Sequence, residues 1–265
     1  MQLKINHTTR YTYDAPAVYA LQKVRLRPLP SPLQTIDAWD VHIEGGKIEA
    51  SYIDHYGNHT DLVSADRGVQ QLSITAHGQV SVVDNSGVLG PVYGRAPLWH
   101  FSQATPLTQP GPGVAALSKV IDLADNTLDG LHDLSMAIIA KAPYEIGKTN
   151  IDTTAEEALT LGAGVCQDHA NIFISAARQA GLAARYVSGY LMMNDRVDQD
   201  ATHAWAEVHV DDLGWVGFDV SNGVSPDARY VRIAVGRDAR DAAPVTGMRL
   251  GPSSEEMIVT LQVQQ

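Results

Sequence analysis

The chain holds a single cysteine, Cys166, and two further residues of acid–base type, His203 and Asp219, follow it at spacings that two adjacent strands would bring together. Cys166 stands in Gly164-Val165-Cys166-Gln167-Asp168-His169-Ala170, where a glycine-rich turn hands over to an apolar run. Ala170, Phe173, Ala177 and Ala180 fall on one helical stripe, and Gly181 is placed to end that helix in a left-handed cap. The first turn of a helix has unpaired N–H groups and the positive end of the macrodipole, so a thiol there ionises more easily than one in an apolar interior. The bland alternative is a small buried hydrophobe. His203 and Asp219 weigh against it. In 202–210, His203, Trp205, Glu207 and His209 alternate with Ala204, Ala206, Val208 and Val210, and 214–220 alternates likewise. The short Asp211-Asp212-Leu213 link predicts a hairpin, and pairing Val210 with Gly214 sets Trp205 opposite Asp219. His203 and Asp219 then share a face, one diagonal step of roughly 7 Å apart. A thiol, an imidazole and a carboxylate are the parts of a nucleophile, base and orienting-acid set.

Several elements must hold those groups. From Leu3 to about Val83 the dominant period is two, with runs at Leu3/Ile5, Val24/Leu26, Trp39/Val41/Ile43, Leu72/Ile74/Ala76 and Val80/Val82. Turns are expected at Gly45-Gly46, Tyr56-Gly57-Asn58 and His77-Gly78, and Pro28, Pro30 and Pro32 keep their segment extended. The pattern lapses into proline, glycine and small polar residues between Pro91 and Gly113, so a boundary is expected near residue 100. Helical spacing follows, faintly over 114–123 and more plainly in Leu131, Leu134 and Ile138. Thr154-Ala155-Glu156-Glu157 reads as a capping box for a short helix before the cysteine. Met257/Val259/Leu261/Val263 alternate again near the end, on a strand expected to rejoin a sheet. The expected class is α+β. A sandwich-like antiparallel β domain over 1–100 precedes a core of helices on an antiparallel sheet over 101–250, with a returning strand in 251–265.

Four blocks carry a family resemblance: Gly164-Val165-Cys166-Gln167-Asp168, Ala184-Arg185-Tyr186-Val187-Ser188-Gly189-Tyr190, His203-Ala204-Trp205-Ala206-Glu207-Val208 and Gly214-Trp215-Val216-Gly217-Phe218-Asp219. In turn they resemble the bacterial transglutaminase-like family of the papain-like cysteine protease superfamily. His7-Thr8-Thr9-Arg10-Tyr11-Thr12-Tyr13 and Tyr56-Gly57-Asn58 look like that family's β-rich N-terminal region. Gly236-Arg237-Asp238, Asp241 and Pro244 look like its C-terminal segment. The resemblance implies Cys166 as nucleophile, His203 as base and Asp219 as orienting acid. Two positions depart from the pattern: Val220 stands where proline is common, and Ala239 where an aromatic residue is usual.

Composition bounds the rest. The 265 residues are 45% hydrophobic, enough for an ordinary core, and no apolar run reaches the roughly 18 residues of a membrane span. One cysteine permits no internal disulfide, which suits a reducing compartment, and Met1-Gln2-Leu3-Lys4-Ile5 shows no leader pattern, so a cytoplasmic site is expected. The formal charge of -11 argues against nucleic acid as a partner. No cofactor and no metal are called for: His55 and His59 flank a turn, and Asp195, Asp198 and Asp200 lack the glycine and glutamate of an EF-hand loop. Gln167 and Asp168 serve the helix start or the site, and Trp205 either walls the cleft or packs. Arg25 and Arg27 are expected to face solvent. The activity expected is acyl transfer from a peptide or protein amide or isopeptide through a Cys166 thioester, with hydrolysis favoured. Transamidation of glutamine, or a binding module that keeps the fold without turnover, are the alternatives.

Overall fold

The computed structural model describes residues 1–91, 95–121, 126–250 and 254–265. The first strand shows how the alternation becomes a sheet. β1 (Gln2–Tyr13) buries Leu3, Ile5, His7, Thr9, Tyr11 and Tyr13 and turns the intervening residues outward. β2 (Tyr19–Val24), β3 (Gln34–Glu44), β4 (Gly46–Ile53), β5 (His59–Ala65), β6 (Gln71–Val82) and β7 (Val88–Gly90) follow. Helices come next: α1 (Leu98–Phe101), α2 (Pro112–Ser118), α3 (Thr127–Lys141), α4 (Ala155–Leu161) and α5 (Cys166–Gln179). The chain then returns to strands in β8 (Ala184–Leu191), β9 (Asp198–Gln199), β10 (His203–Val210), β11 (Gly214–Phe218), β12 (Tyr230–Gly236), β13 (Val245–Leu250) and β14 (Glu255–Gln264).

These strands build three antiparallel sheets, ordered β3-β6-β1-β14-β9, β13-β2-β5-β4 and β12-β8-β10-β11-β7. The first two enclose an apolar core of Leu3, Ile5, Val24, Val63, Leu72, Ile74 and Val80, to which Tyr190, Val231 and Ile233 of the third sheet also belong. The fold is therefore α+β, with a sandwich seated on the sheet of the helical core. β14 lies on β1, pairing Val263 with Ile5, and β13 lies on β2.

Some details depart from the sequence expectation. His77-Gly78 is not a turn: β6 runs through it, pairing with β3 and β1 on either side. Gly78 is there because a Cβ would sit 2.1 Å from the Ala38 carbonyl oxygen and 2.8 Å from the Trp39 ring. Of the faint helical spacing over 114–123, α2 covers the first part, while 122 and 123 lie outside the described residues. So do 92–94 of the proline- and glycine-rich stretch and 251–253 before the last strand. Arg25 does not face solvent. It is 4% exposed, its Nε donating to Asp54 Oδ2 at 3.3 Å and its Nη1 to the Ala243 carbonyl at 3.2 Å. Arg27, half-buried, pairs with Asp61 at 3.0 Å. Arg25 is covered because the C-terminal segment folds back over the end of β2, where Arg25 N–H donates to the Pro244 carbonyl.

That segment and the Tyr56-Gly57-Asn58 turn interlock. Asn58 donates to the Val235 carbonyl and accepts from its N–H, both at 2.8 Å, and Tyr56 donates to Asp241 at 2.6 Å. α5 is held from the same side: Arg178 donates to the carbonyls of Phe101, Ala184 and Arg237 and to the Thr108 hydroxyl. On its sheet side α5 buries Ala170, Phe173 and Ala177 against Ala204, Ala206, Val208 and Phe218, and Phe173 stacks on Phe218 at 5.0 Å. β8 is buried along its whole length because helices cover it on one side and the sandwich on the other.

Candidate active site

Cys166 is the first residue of α5. The turn before it is set by Asp168, whose Oδ2 accepts the Val165 N–H at 2.8 Å and the Thr149 hydroxyl at 2.7 Å. Asp168 thus caps the helix, and Gln167 reaches toward the Asn150 carbonyl at 3.5 Å rather than toward the thiol. The N–H of Cys166, in the first turn, has no acceptor within the helix.

His203 opens β10, and the hairpin takes the expected register with Val210 opposite Gly214. β11 ends at Phe218, and Asp219 begins a tight turn closed by its bridge to Val224. The imidazole and the carboxylate meet: His203 Nε2 is 2.6 Å from Asp219 Oδ2. With Nε2 engaged, Nδ1 is the nitrogen left for the Cys166 thiol, which lines the same cleft as the ring. The three residues named from sequence therefore share one place. Cys166 and His203 line a cleft of about 550 Å³ walled also by Tyr144, Ile146, Met193, Ser221 and Asn222, with Asp219 buried behind His203.

Asp219 is held by more than His203. Its Oδ2 also accepts the Tyr230 hydroxyl and the Asn222 side-chain amide, each at 2.7 Å, and Oδ1 faces the Asn222 N–H at 3.3 Å. Burial would raise this carboxyl, but the His203 hydrogen bond and charge, with Asn222 and Tyr230, hold it below the usual carboxylate range. Burial likewise opposes the imidazolium of His203. Hydrogen bonds and negative charge from Asp219 and Cys166 outweigh it and raise the group to about 10. Tyr230 was not singled out in the sequence. The alternation of Val231, Ile233 and Val235 could have announced β12, but no local signal ties its first residue to Asp219.

Trp205 is 1% exposed, so it packs and does not wall the cleft. Its ring stacks beside His203 at 6.4 Å and edge-on to Tyr230 at 5.5 Å. Gly189, opposite His203, makes room for it: a Cβ there would come within 2.5 Å of the Trp205 ring. On the same strand Glu207 is buried between Arg185 and Arg232, at 2.7 and 3.1 Å, with Arg185 lying 3.9 Å over Trp215. Val220 is buried in the helical core, and Ala239 donates its N–H to Asn171 of α5 at 3.4 Å. Among the described residues no cluster of three or more His, Cys, Asp or Glu could hold a metal, and no helix is long and apolar enough to cross a membrane.

Comparison with known proteins bears on the family and the fold. Residues 115–220 match the transglutaminase-like superfamily and residues 3–81 the bacterial transglutaminase-like N-terminal region. The chain is 29% identical over 289 residues to an uncharacterized protein of Mycobacterium tuberculosis, covering 98% of this chain and 91% of that one. It is 27% identical over 294 residues to one of Mycobacterium leprae, covering 99% and 98%. Among solved structures, a candidate cysteine protease from Cytophaga hutchinsonii shares the fold with a TM-score of 0.79 at 23% identity, over 100% of this chain and 91% of that one.

Proposed function

Because this chain belongs to the transglutaminase-like superfamily through both its N-terminal region and its core, we propose that it is a cysteine-dependent hydrolase of amide or isopeptide bonds, a peptidase or amidase. The observation that carries the reading is the His203 imidazole, 2.6 Å from a buried carboxylate and lining one cleft with the Cys166 thiol. In the first half-reaction, with the proton of the thiol held on His203 Nδ1, Sγ forms a bond to the carbonyl carbon. The carbonyl π electrons move to oxygen, where the Cys166 N–H stabilises the charge. His203 then returns the proton to the leaving nitrogen as the C–N bond breaks, leaving a thioester. In the second half-reaction water attacks that carbon, gives its proton to His203, and the carboxylic acid departs as Sγ recovers the proton. Asp219 keeps the ring in one tautomer and stabilises the imidazolium throughout.

Hydrolysis is favoured over transamidation because the thioester lies in an open cleft. Tyr144 and Ile146 on its wall are 52% and 80% exposed, so water has ready access to the acyl carbon. A peptide and isopeptide library, screened with Cys166→Ala as control and a fluorescent primary amine present, tests this. Free acid as the main product, absent with Cys166→Ala, is expected. A dominant amine adduct would make the protein a transamidase, and no Cys166-dependent product would leave the binding-module reading in its place.

A further inference from the structure

Ser221 faces the cleft from the turn after Asp219, and its hydroxyl lies 2.8 Å from Nδ1 of His169. His169 is three positions beyond Cys166, on the same side of α5, and is wholly buried. Its other nitrogen, Nε2, is 2.8 Å from the Ala142 carbonyl oxygen. A carbonyl oxygen only accepts, so Nε2 carries a hydrogen. Burial pushes the ring away from the imidazolium form, which leaves Nδ1 bare. The hydrogen between Nδ1 and Ser221 must then be the hydroxyl's own. A cleft serine ordinarily rotates to donate or to accept. This one has its hydrogen committed to a buried ring and offers the cleft lone pairs alone.

The commitment is built into the wall of the site. The Ala142 carbonyl that orients His169 begins the segment where Gly164 N–H donates to Pro143 at 3.2 Å and Glu145 N–H to Gly164 at 2.9 Å, beside the thiol. The neighbouring Asn222 amide is already spent on Asp219. Ser221 is thus a fixed acceptor between the thiol helix and the turn that carries the orienting acid.

We propose that Ser221 is a specificity residue that accepts the N–H of the amide whose carbonyl Cys166 attacks, so that the enzyme selects primary and secondary amides over esters and over tertiary amides such as those of a proline nitrogen. The inference rests on the hydrolase reading above. In the tetrahedral intermediate of a secondary amide the leaving nitrogen has one hydrogen, one carbon substituent and one lone pair besides its bond to the former carbonyl carbon, and that of a primary amide has a second hydrogen in place of the substituent. Drawing the N–H to Ser221 leaves the lone pair free to point at His203, which must protonate it before the C–N bond can break. A leaving group without an N–H loses that orientation.

Two measurements test this. Nitrogen-15 spectra, with the His169 signals assigned by comparison with His169→Gln, are expected to show Nε2 protonated and Nδ1 bare; a protonated Nδ1 would overturn the proposal. A peptide returned by the library is then made as a 4-nitroanilide and as a 4-nitrophenyl ester with the same acyl part. Ser221→Ala is expected to lose about tenfold in kcat/KM on the anilide, mostly in kcat, with under about twofold change on the ester, while Ser221→Thr retains both. Equal losses on the two substrates, or no loss on the anilide, would overturn the proposal. A wild-type protein inert toward both would instead remove the hydrolase reading, and this proposal with it.

Discussion

The carboxylate of Asp219 accepts three side-chain donors on one oxygen, from His203, Asn222 and Tyr230. That concentration keeps it ionised in a site where it is 1% exposed, and so keeps His203 charged. Asp219→Asn is expected to fold and to lose about 10²- to 10⁴-fold in activity, since the amide cannot stabilise the imidazolium and disturbs the tautomer. The same substitution has a signature in stability. His203 is raised from 6.5 to about 10 in the fold. A raised group stabilises fully below its unfolded value and loses that contribution as pH climbs through the folded one. The Tm of the wild type should therefore fall between those two values, and that of Asp219→Asn should fall less; parallel curves would show that Asp219 does not set the His203 charge. Cys166, His203 and Asp219 were legible because their surrounding blocks are contiguous text. Tyr230, and the pairing of His169 with Ser221, were not, because each joins elements whose meeting no local pattern encodes.

α5 is the element on which the site depends. Its first residue carries the thiol, and its last turn carries Arg178, buried and donating to four acceptors outside α5. Charged hydrogen bonds in such a place are worth more than surface ones, and removing the donor strands its acceptors. Arg178→Met is expected to cost on the order of 3 kcal/mol in urea unfolding. Because it loosens the far end of α5 and not the triad, residual activity in the folded fraction should fall modestly; full stability would show that the carbonyls find other donors. The stripe through Ala170, Phe173 and Ala177 and the cap at Gly181 could be read directly, since helical period and glycine placement are local properties. Arg178 could not, because a basic residue in a last helical turn more often faces solvent and favours the dipole there. β6 was misread at His77-Gly78 for a related reason: glycine there answers the crowding of a neighbouring strand and not the need to turn.

At the scale of the whole molecule the sandwich and the helical core are joined by direct contacts. His7 of β1 lies 2.9 Å from the Tyr190 hydroxyl of β8, and the C-terminal strands return to β1 and β2 after the core is complete. The alternation of both halves was legible, as was a returning tail strand, but which strand would receive it depends on packing that alternation leaves open. The same holds for the clasp between Tyr56-Gly57-Asn58 and the 235–243 segment, two stretches that carried the resemblance separately and are now seen to touch. The proposed hydrolysis has one requirement, a cysteine that His203 activates. Because Cys166 is the sole cysteine, intact-mass measurement of iodoacetamide labelling near neutral pH reads that activation directly and needs no knowledge of the substrate. The wild type should label at least about tenfold faster than His203→Ala, with Asp219→Asn between them. Equal rates in all three proteins would contradict the account.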